Sequence, residues 1–233
     1  PIVNGGNLDG YRVEGGTIRI EGAGMDTTRT GYTDLIARAV EINAGLWAQN
    51  LAVTAGANTV NAANTQATPI APAPGNAAPA FAIDVASLGG MYAGKIVLVG
   101  TEAGVGVRNA GHIGASAGEV CVTVDGRLTN SGSLLAAGNV GVEARAGIAN
   151  TGTVYAQGDL GLATAGDIAN SGLVAAGAHA TLAATGAGSR IAGDATSIFA
   201  AGLNADGSLA ATGRLDIAAT TTIAARGQQL AGG

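Results

Sequence analysis

The chain has 233 residues, of which 47% are hydrophobic and only 12% charged, so it holds enough apolar surface for one continuous core. The net charge is −5 and Lys95 is the only lysine, which argues against nucleic acid as a partner because phosphate binding needs clustered cations. The lone Cys121 cannot form an internal disulfide, and with two histidines the chain offers no set of zinc ligands.

Glycine accounts for 40 residues and aromatic side chains for only 3% of the chain. The core must therefore be built from Val, Ile, Leu and Ala, and the glycines predict many tight turns between short strands. There is no run of about 20 strongly apolar residues, as a membrane-spanning helix requires. Because the chain opens abruptly at Pro1 and stops at Gly233, we interpret it as a fragment of a longer protein.

In the first half, apolar residues alternate with others at 17–21, 51–54 and 95–99, as on strands with one buried face. Residues 34–42 are ambiguous, since their composition permits a helix. The Val and Ile content and the neighbouring runs favour a strand, which is the interpretation we adopt.

Residues 60–80 interrupt this pattern. They contain four of the five prolines, namely Pro69, Pro72, Pro74 and Pro79. Proline cannot donate to a sheet ladder. The segment is therefore predicted to leave the fold as an extra-helical excursion, more mobile than its surroundings.

The second half repeats a motif of Asn, a small residue and Gly. It begins at Asn109, Asn130, Asn150 and Asn170, with spacings of 21, 20 and 20 residues. Apolar residues keep step with it: two positions before each Asn lie Val107, Leu128, Ile148 and Ile168, and four positions after lie Ile113, Leu134, Val154 and Val174. A repeat of this length is typical of a solenoid.

Each repeat holds several glycines and alternating runs of about 4–5 residues, whereas helical repeats need longer units of about 33 residues or more. The pattern therefore predicts an all-β fold, a right-handed parallel β-helix with coils of about 20 residues that stack by parallel pairing. Val154 should point into its core between Leu134 and Val174, and Cys121 should face outward.

The four asparagines are predicted to form a structural turn ladder. Asn tolerates the left-handed backbone region and bonds its own turn, and stacked amides can also bond each other. Ligand binding by these asparagines is the alternative that we consider and do not adopt.

Two stretches resemble the secretion domain of two-partner-secretion exoproteins, the family of filamentous haemagglutinins and toxins of contact-dependent growth inhibition. The first is Tyr-Thr-Asp-Leu-Ile-Ala-Arg-Ala-Val-Glu-Ile-Asn-Ala at 32–44, continued at 53–58. The second is Leu-Gly-Gly-Met-Tyr-Ala-Gly-Lys-Ile at 88–96, continued at 100–107. The resemblance divides the chain into the C-terminal part of a secretion domain at 1–115 and haemagglutinin-type repeats at 116–233. The family's early Asn-Pro-Asn motifs are absent from this sequence.

The resemblance implies a non-catalytic segment of a large exoprotein at the bacterial cell surface. Its expected partner is an outer-membrane transporter of the Omp85 (TpsB) type, mainly through the part that is missing here. A distal adhesin or growth-inhibition toxin would engage a host or target-cell receptor, and the fragment itself is expected to be monomeric.

The rival class is a β-helical protein that binds or cleaves polysaccharides, which needs clustered carboxylates. The densest charged patch contains Asp26, Arg29, Asp34, Arg38 and Glu41, and we interpret it as a solvated face. His112 and His179 lie in different repeats and have no evident acid or nucleophile partner. We therefore predict no catalytic, cofactor-binding or metal-binding residues. Sugar binding is also disfavoured, because the chain has few aromatic residues to stack on sugars.

Overall fold

The computed structural model describes residues 1–209 and 212–232, which form strands and turns with no helix. The chain opens with a hairpin of β1 (Ile2–Asn4) and β2 (Asn7–Val13). Coil 1 holds β3 (Thr17–Ile20), β4 (Met25–Asp26) and β5 (Thr33–Ala37), and coil 2 holds β6 (Ala39–Ile42), β7 (Gly45–Trp47) and β8 (Asn50–Ala55). A second hairpin, β9 (Asn58–Asn61) and β10 (Ala67–Pro69), follows.

The remaining coils run without another hairpin of this kind. Coil 3 holds β11 (Phe81–Val85), β12 (Gly90–Ala93) and β13 (Lys95–Gly100), and coil 4 holds β14 (Gly106–Asn109), β15 (His112–Ala115) and β16 (Val120–Val124). Coil 5 holds β17 (Leu128–Asn130), β18 (Ser133–Ala136) and β19 (Val140–Ala144), and coil 6 holds β20 (Ile148–Asn150), β21 (Thr153–Ala156) and β22 (Leu160–Thr164). Coil 7 holds β23 (Ile168–Asn170), β24 (Leu173–Ala176) and β25 (Ala180–Ala184), and coil 8 holds β26 (Arg190–Gly193), β27 (Ile198–Ala201) and β28 (Leu215–Ala219). Coil 9 begins with β29 (Thr222–Ala225) and β30 (Gln228–Ala231).

Strands at the same position in successive coils pair in parallel, which produces three sheets along the solenoid. The first strands of the coils form the nine-stranded sheet I, from β3 to β29. The second strands form the nine-stranded sheet II, from β4 to β30, and the third strands form the eight-stranded sheet III, from β5 to β28. The parallel β-solenoid predicted from the repeat is confirmed.

Stacking in register places the repeating apolar residues in the core. Val154 pairs with Leu134 on one side and with Val174 on the other, and each of the three is at most 1% exposed. Cys121 pairs with Gly141, lies partly exposed on the outer face, and has its pKa raised chiefly by desolvation on burial. The predicted inward position of Val154 and the predicted outward position of Cys121 are both confirmed.

The ambiguous stretch at 34–42 is strand, as predicted. It belongs to β5 and β6, where Leu35 pairs with Val53 and Val40 pairs with Ile83. Each of these strands lies in a parallel sheet, so backbone hydrogen bonds between coils override the local helical propensity.

The segment that the prolines predict to leave the coils does so, beginning slightly earlier than residue 60. Strands β9 and β10 join the N-terminal hairpin in an antiparallel sheet of order β1-β2-β9-β10. Pro69 ends the edge strand β10, a position in a sheet where proline is tolerated because no ladder donor is lost. Part of the excursion is therefore regular structure.

The interpretation of Arg38 as part of a solvated face is wrong. Its side chain is 5% exposed and donates to both carboxylate oxygens of Glu102, at 2.7 and 3.0 Å. It also donates to the backbone oxygen of Asn76 at 3.2 Å, which fastens the excursion to the coils. Bonding to Glu102 raises the pKa of Arg38, so the buried guanidinium stays charged. The sequence pattern could not predict this ion pair, because Glu102 lies 64 residues away along the chain.

The core position of Val154 generates a stability prediction. Val154→Asp places a charge without a partner in the core, and it should lower the free energy of unfolding by at least about 3 kcal/mol. Thr153→Asp, an outward position on the same strand, is the control and should change it by less than about 1 kcal/mol. Urea unfolding of the three proteins measures both effects. Equal unfolding midpoints for the two variants would show that Val154 is not a core residue.

Candidate functional site

The four asparagines of the repeat form one buried column at the ends of strands β14, β17, β20 and β23. Parallel pairing aligns Asn109 with Asn130, then with Asn150 and Asn170, and all four are at most 4% exposed. The Nδ2 groups of Asn109, Asn130 and Asn150 donate to the Oδ1 of the asparagine in the next coil, at 2.7, 2.7 and 2.8 Å. The column therefore forms a continuous hydrogen-bonded chain across coils 4 to 7.

The amides also bind the turns around them. Nδ2 of Asn150 donates to the backbone oxygen of Gly152 at 3.1 Å and to that of Leu173, one coil further on, at 3.1 Å. None of the four adopts the left-handed conformation considered above, because Asn64 is the only non-glycine with positive φ among the described residues. The asparagines are thus suited to their positions by their two-sided amide and not by backbone tolerance.

The glycine of the motif has a separate steric reason. A Cβ on Gly132 would overlap the backbone oxygen of Gly111, and a Cβ on Gly152 would overlap that of Gly132. Successive turns approach so closely that only a residue without a side chain fits. Asn and Gly therefore recur together because one bonds adjacent turns and the other lets them touch.

The column ends on both sides where the aligned residue of the adjacent coil is not an asparagine. Asn109 pairs with Val85 in coil 3, and Asn170 pairs with Gly193 in coil 8. The Oδ1 of Asn109 lies at the coil 3 end of the column, is buried, and has no hydrogen-bond partner among the described residues. An unsatisfied buried acceptor of this kind costs about 1–3 kcal/mol.

A second set of side chains links coils on the outer surface, at the turns before β19, β22 and β25 of sheet III. Asn139 Oδ1 accepts from the backbone N–H of Asp159 at 2.9 Å, and Asp159 Oδ1 accepts from that of His179 at 3.1 Å. His179 Nδ1 in turn accepts from the N–H of Arg214 at 3.2 Å. The sequence analysis missed this outer column, although the first three residues recur at 20-residue steps.

Many of the charged residues form ion pairs or turn contacts. Arg19 pairs with Glu41, Arg108 with Asp84, and Lys95 with Glu119, at 2.6–2.7 Å. The Asp26 carboxylate accepts hydrogen bonds from the backbone N–H and the hydroxyl of Thr28, and these bonds, chiefly the first, lower the pKa of the carboxyl. In the described part of the chain, no three His, Cys, Asp or Glu residues stand together as metal ligands.

The outer face of sheet II carries an aromatic groove that the sequence analysis did not foresee. Parallel register aligns Trp47, Tyr92, Gly114, Leu135 and Tyr155 in one outward column. The ring of His112, whose Nδ1 contacts the Ser133 hydroxyl, stacks on Tyr92 at 5.3 Å, and Tyr92 stacks on Trp47 at 6.0 Å. The groove has a volume of about 600 Å³. Among the described residues that line it, only His112 and the two tyrosines are ionisable.

Comparison with known proteins places these features in a family. Residues 1–134 match the profile of the TPS secretion domain, and residues 115–198 and 190–233 match that of the haemagglutinin repeat. The two matches overlap at 115–134, and the boundary predicted after residue 115 stays a prediction.

Over 135 residues, 58% of this chain, the sequence is 55% identical to Toxin CdiA of Yersinia pestis. It is 49% identical over 57% of the chain to tRNA nuclease CdiA-2 of Burkholderia pseudomallei, and 39% identical over 55% to Filamentous hemagglutinin of Bordetella pertussis. Each match covers only 4% of the relative's length.

A solved structure agrees with the sequence matches. It is the crystal structure of a filamentous hemagglutinin secretion domain, with a TM-score of 0.52 and 31% identity over 83% of this chain and 57% of that one. Within the described residues, no helix is long and apolar enough to cross a membrane.

The asparagine column should stabilise the stack. Asn150→Ala leaves the backbone oxygens of Gly152 and Leu173 without their amide donor, so we expect a loss of about 2–4 kcal/mol in unfolding free energy. Asn139→Ala, on the exposed outer column, is the control and should cost less than about 1 kcal/mol. Chemical denaturation, monitored by circular dichroism, gives the unfolding free energy of both variants. Equal losses of unfolding free energy would show that the buried column stabilises the stack no more than the outer column does.

The unsatisfied end of the column generates a second prediction. Val85→Thr keeps the shape of the side chain and places a hydroxyl donor opposite Asn109 Oδ1, so it should change stability by less than about 0.5 kcal/mol. Val107→Thr puts the same hydroxyl into the apolar core two residues before Asn109, and should cost about 1–3 kcal/mol. Thermal unfolding of both variants tests the difference. A Val85→Thr variant as unstable as Val107→Thr would contradict it.

Proposed function

Because the chain belongs to the family of TPS secretion domains, we propose that it is a non-catalytic β-helical segment of a large secreted exoprotein. It supports export through an outer-membrane transporter of the Omp85 (TpsB) type. It then presents a distal adhesin or growth-inhibition toxin at the bacterial surface, where distal regions contact a receptor. The coil stack acts as the scaffold for both tasks.

The length of the relatives supports the division between scaffold and activity. The matched part of the chain covers only 4% of each of these relatives, whose names refer to whole proteins. The toxic or adhesive function accordingly belongs to regions outside this segment. Within it, carboxylates such as Glu102 and Asp84 are engaged by arginines and not gathered into an acid/base pair.

The observation that carries the proposal is that each coil supplies hydrogen-bond partners to the next. Asn130 donates into coil 6 through Asn150 Oδ1 and the backbone oxygen of Thr153. A coil that has folded therefore presents a template to the chain that follows it, as in other repeat arrays. We propose that folding outside the cell, coil by coil, opposes backsliding and so favours export.

The export hypothesis is tested with three inward substitutions in the full-length exoprotein. Leu134→Asp, Val154→Asp and Val174→Asp, combined, should prevent folding of coils 5 to 7 and should reduce surface display severalfold. The matched control places Asp at Ser133, Thr153 and Leu173, which form an outward column on the same strands. Display is measured by antibody labelling of intact cells, with total exoprotein measured in lysates.

Loss of display in the inward variant, with normal display of the control, supports coupling between folding and export. Undiminished display of the inward variant as an unfolded chain would refute the coupling. Killing of target cells or glycan cleavage by this segment alone would refute the scaffold function itself.

A further inference from the structure

Two strands of this chain compete for one place in sheet I. In the other coils, the strand of sheet I begins within six positions of the end of the preceding strand of sheet III. Strand β9 fits this rule, because it begins at Asn58, three positions after β8 ends at Ala55. Chain order alone therefore predicts that β9 pairs with β6. Instead β11, which begins only at Phe81, takes that place.

The local properties of β9 and β11 do not decide between them. The residues of β9 alternate between buried and half-buried, as on a strand of sheet I. Closing the short connection to β9 costs less conformational entropy than closing the excursion at 56–80. Against this, β11 supplies two apolar inward side chains, Ile83 and Val85, where β9 supplies only Val60. These two effects oppose each other, so a contact outside both strands must favour β11.

The prolines of the excursion lie too far along the chain to make this choice. They keep the residues from Pro69 onward out of a ladder, because proline has no N–H to donate. Strand β9 ends at Asn61, before the first of these prolines. It is therefore free of them and could pair with β6.

An ion pair stands at the point where the chain leaves the coils. Arg38 immediately precedes β6, and Glu102 follows β13, the last strand of coil 3. Gly56 touches both residues: its N–H donates to the backbone oxygen of Arg38 at 3.0 Å, and a Cβ on it would lie 3.1 Å from the backbone nitrogen of Glu102. The chain thus turns out of the coils directly beside the ion pair.

The ion pair is satisfied only when β11 lies next to β6. The side chains of Arg38 and Glu102 are 5% and 15% exposed, and the guanidinium also donates to the excursion at the backbone oxygen of Asn76. If β9 took the place of β11, the residues after it would add a coil, and Glu102 would lie about 4.8 Å further along the stack. The guanidinium would lose its carboxylate, and an unpaired buried charge is strongly unfavourable. The contact therefore penalises the wrong pairing.

We propose that the Arg38–Glu102 ion pair is a register lock, which selects β11 over β9 as the strand that continues sheet I. The buried pair adds little to net stability, because desolvation offsets its attraction, and it acts by making the alternative pairing unfavourable. It thereby sets where the chain leaves the solenoid and where it returns. This lock is independent of the export function proposed above.

Engineered disulfides report which strand lies beside β6. Asp84 of β11 is aligned with Glu41 of β6 on the outer face, and Thr59 is the residue of β9 that would replace it. Glu41→Cys is combined with Asp84→Cys in one protein and with Thr59→Cys in another, both with Cys121→Ser. Aligned residues of adjacent strands lie within the Cα separation of about 4.4–6.8 Å that a disulfide spans. Each whole chain is refolded from urea and oxidised, and its disulfide is identified by peptide mass spectrometry.

The lock is removed without leaving a buried charge by combining Arg38→Met with Glu102→Leu. In the parent, the Thr59 disulfide should be nearly absent. In the double variant its yield should rise at least about fivefold, because the penalty on the wrong pairing is gone. The matched control, Lys95→Met with Glu119→Leu, removes an exposed ion pair and should leave both disulfide yields unchanged.

Three results would overturn the proposal. One is a double variant that folds and forms only the Asp84 disulfide, as the parent does. Another is an equal rise of the Thr59 disulfide in the control. The third is a double variant that circular dichroism shows to be unfolded, since the ion pair would then stabilise the coils themselves and not choose between two pairings.

Discussion

Parallel stacking of coils in register is the constraint on which every other feature depends. Each coil places its backbone about 4.8 Å from the next, so whatever stands at one position meets its equivalent in the neighbouring coils. Apolar residues then form continuous core columns, and asparagines form a hydrogen-bonded chain. The same closeness excludes side chains where turns touch, which is why Gly132 and Gly152 follow the asparagines.

The repeat is interrupted twice, after β8 and after β27, and each departing segment is held to the coils by a side chain. The excursion after β8 is held by Arg38, whose buried guanidinium bonds both Glu102 and the excursion's own backbone at Asn76. The insertion after β27 is held by Tyr155, which donates to the backbone oxygen of Leu203. In both cases a polar side chain with a fixed partner fastens a departing segment to the solenoid, because the parallel ladder no longer does so.

The chemistry of this segment lies between coils and not in a reactive cluster. Asn130, Asn150 and their equivalents connect backbone turns, and Asn139, Asp159 and His179 do the same on the outside. Such contacts let one coil order the next, which fits the coil-by-coil folding proposed for this segment. The aromatic groove is the exception, since its side chains face solvent and stack on one another instead of bonding the backbone of the next coil.

The sequence alone determined the architecture because the repeat is local and periodic. The spacing of Asn130, Asn150 and Asn170, together with apolar residues such as Val154 in step with them, required coils of about 20 residues, strands and a shared core. Glycine and proline positions marked the turns and the excursion for the same reason, since both residues act through their own backbone.

Only the tertiary structure decided which distant residues meet. Trp47 and Tyr92 are neighbours because the excursion between them leaves the stack, so their separation along the chain bears no trace of the 20-residue period. Arg38 finds Glu102, and Tyr155 finds Leu203, for the same reason. Where the chain departs from its repeat, spacing no longer reports position, and contacts follow from how the excursion and the insertion after β27 return to the coils.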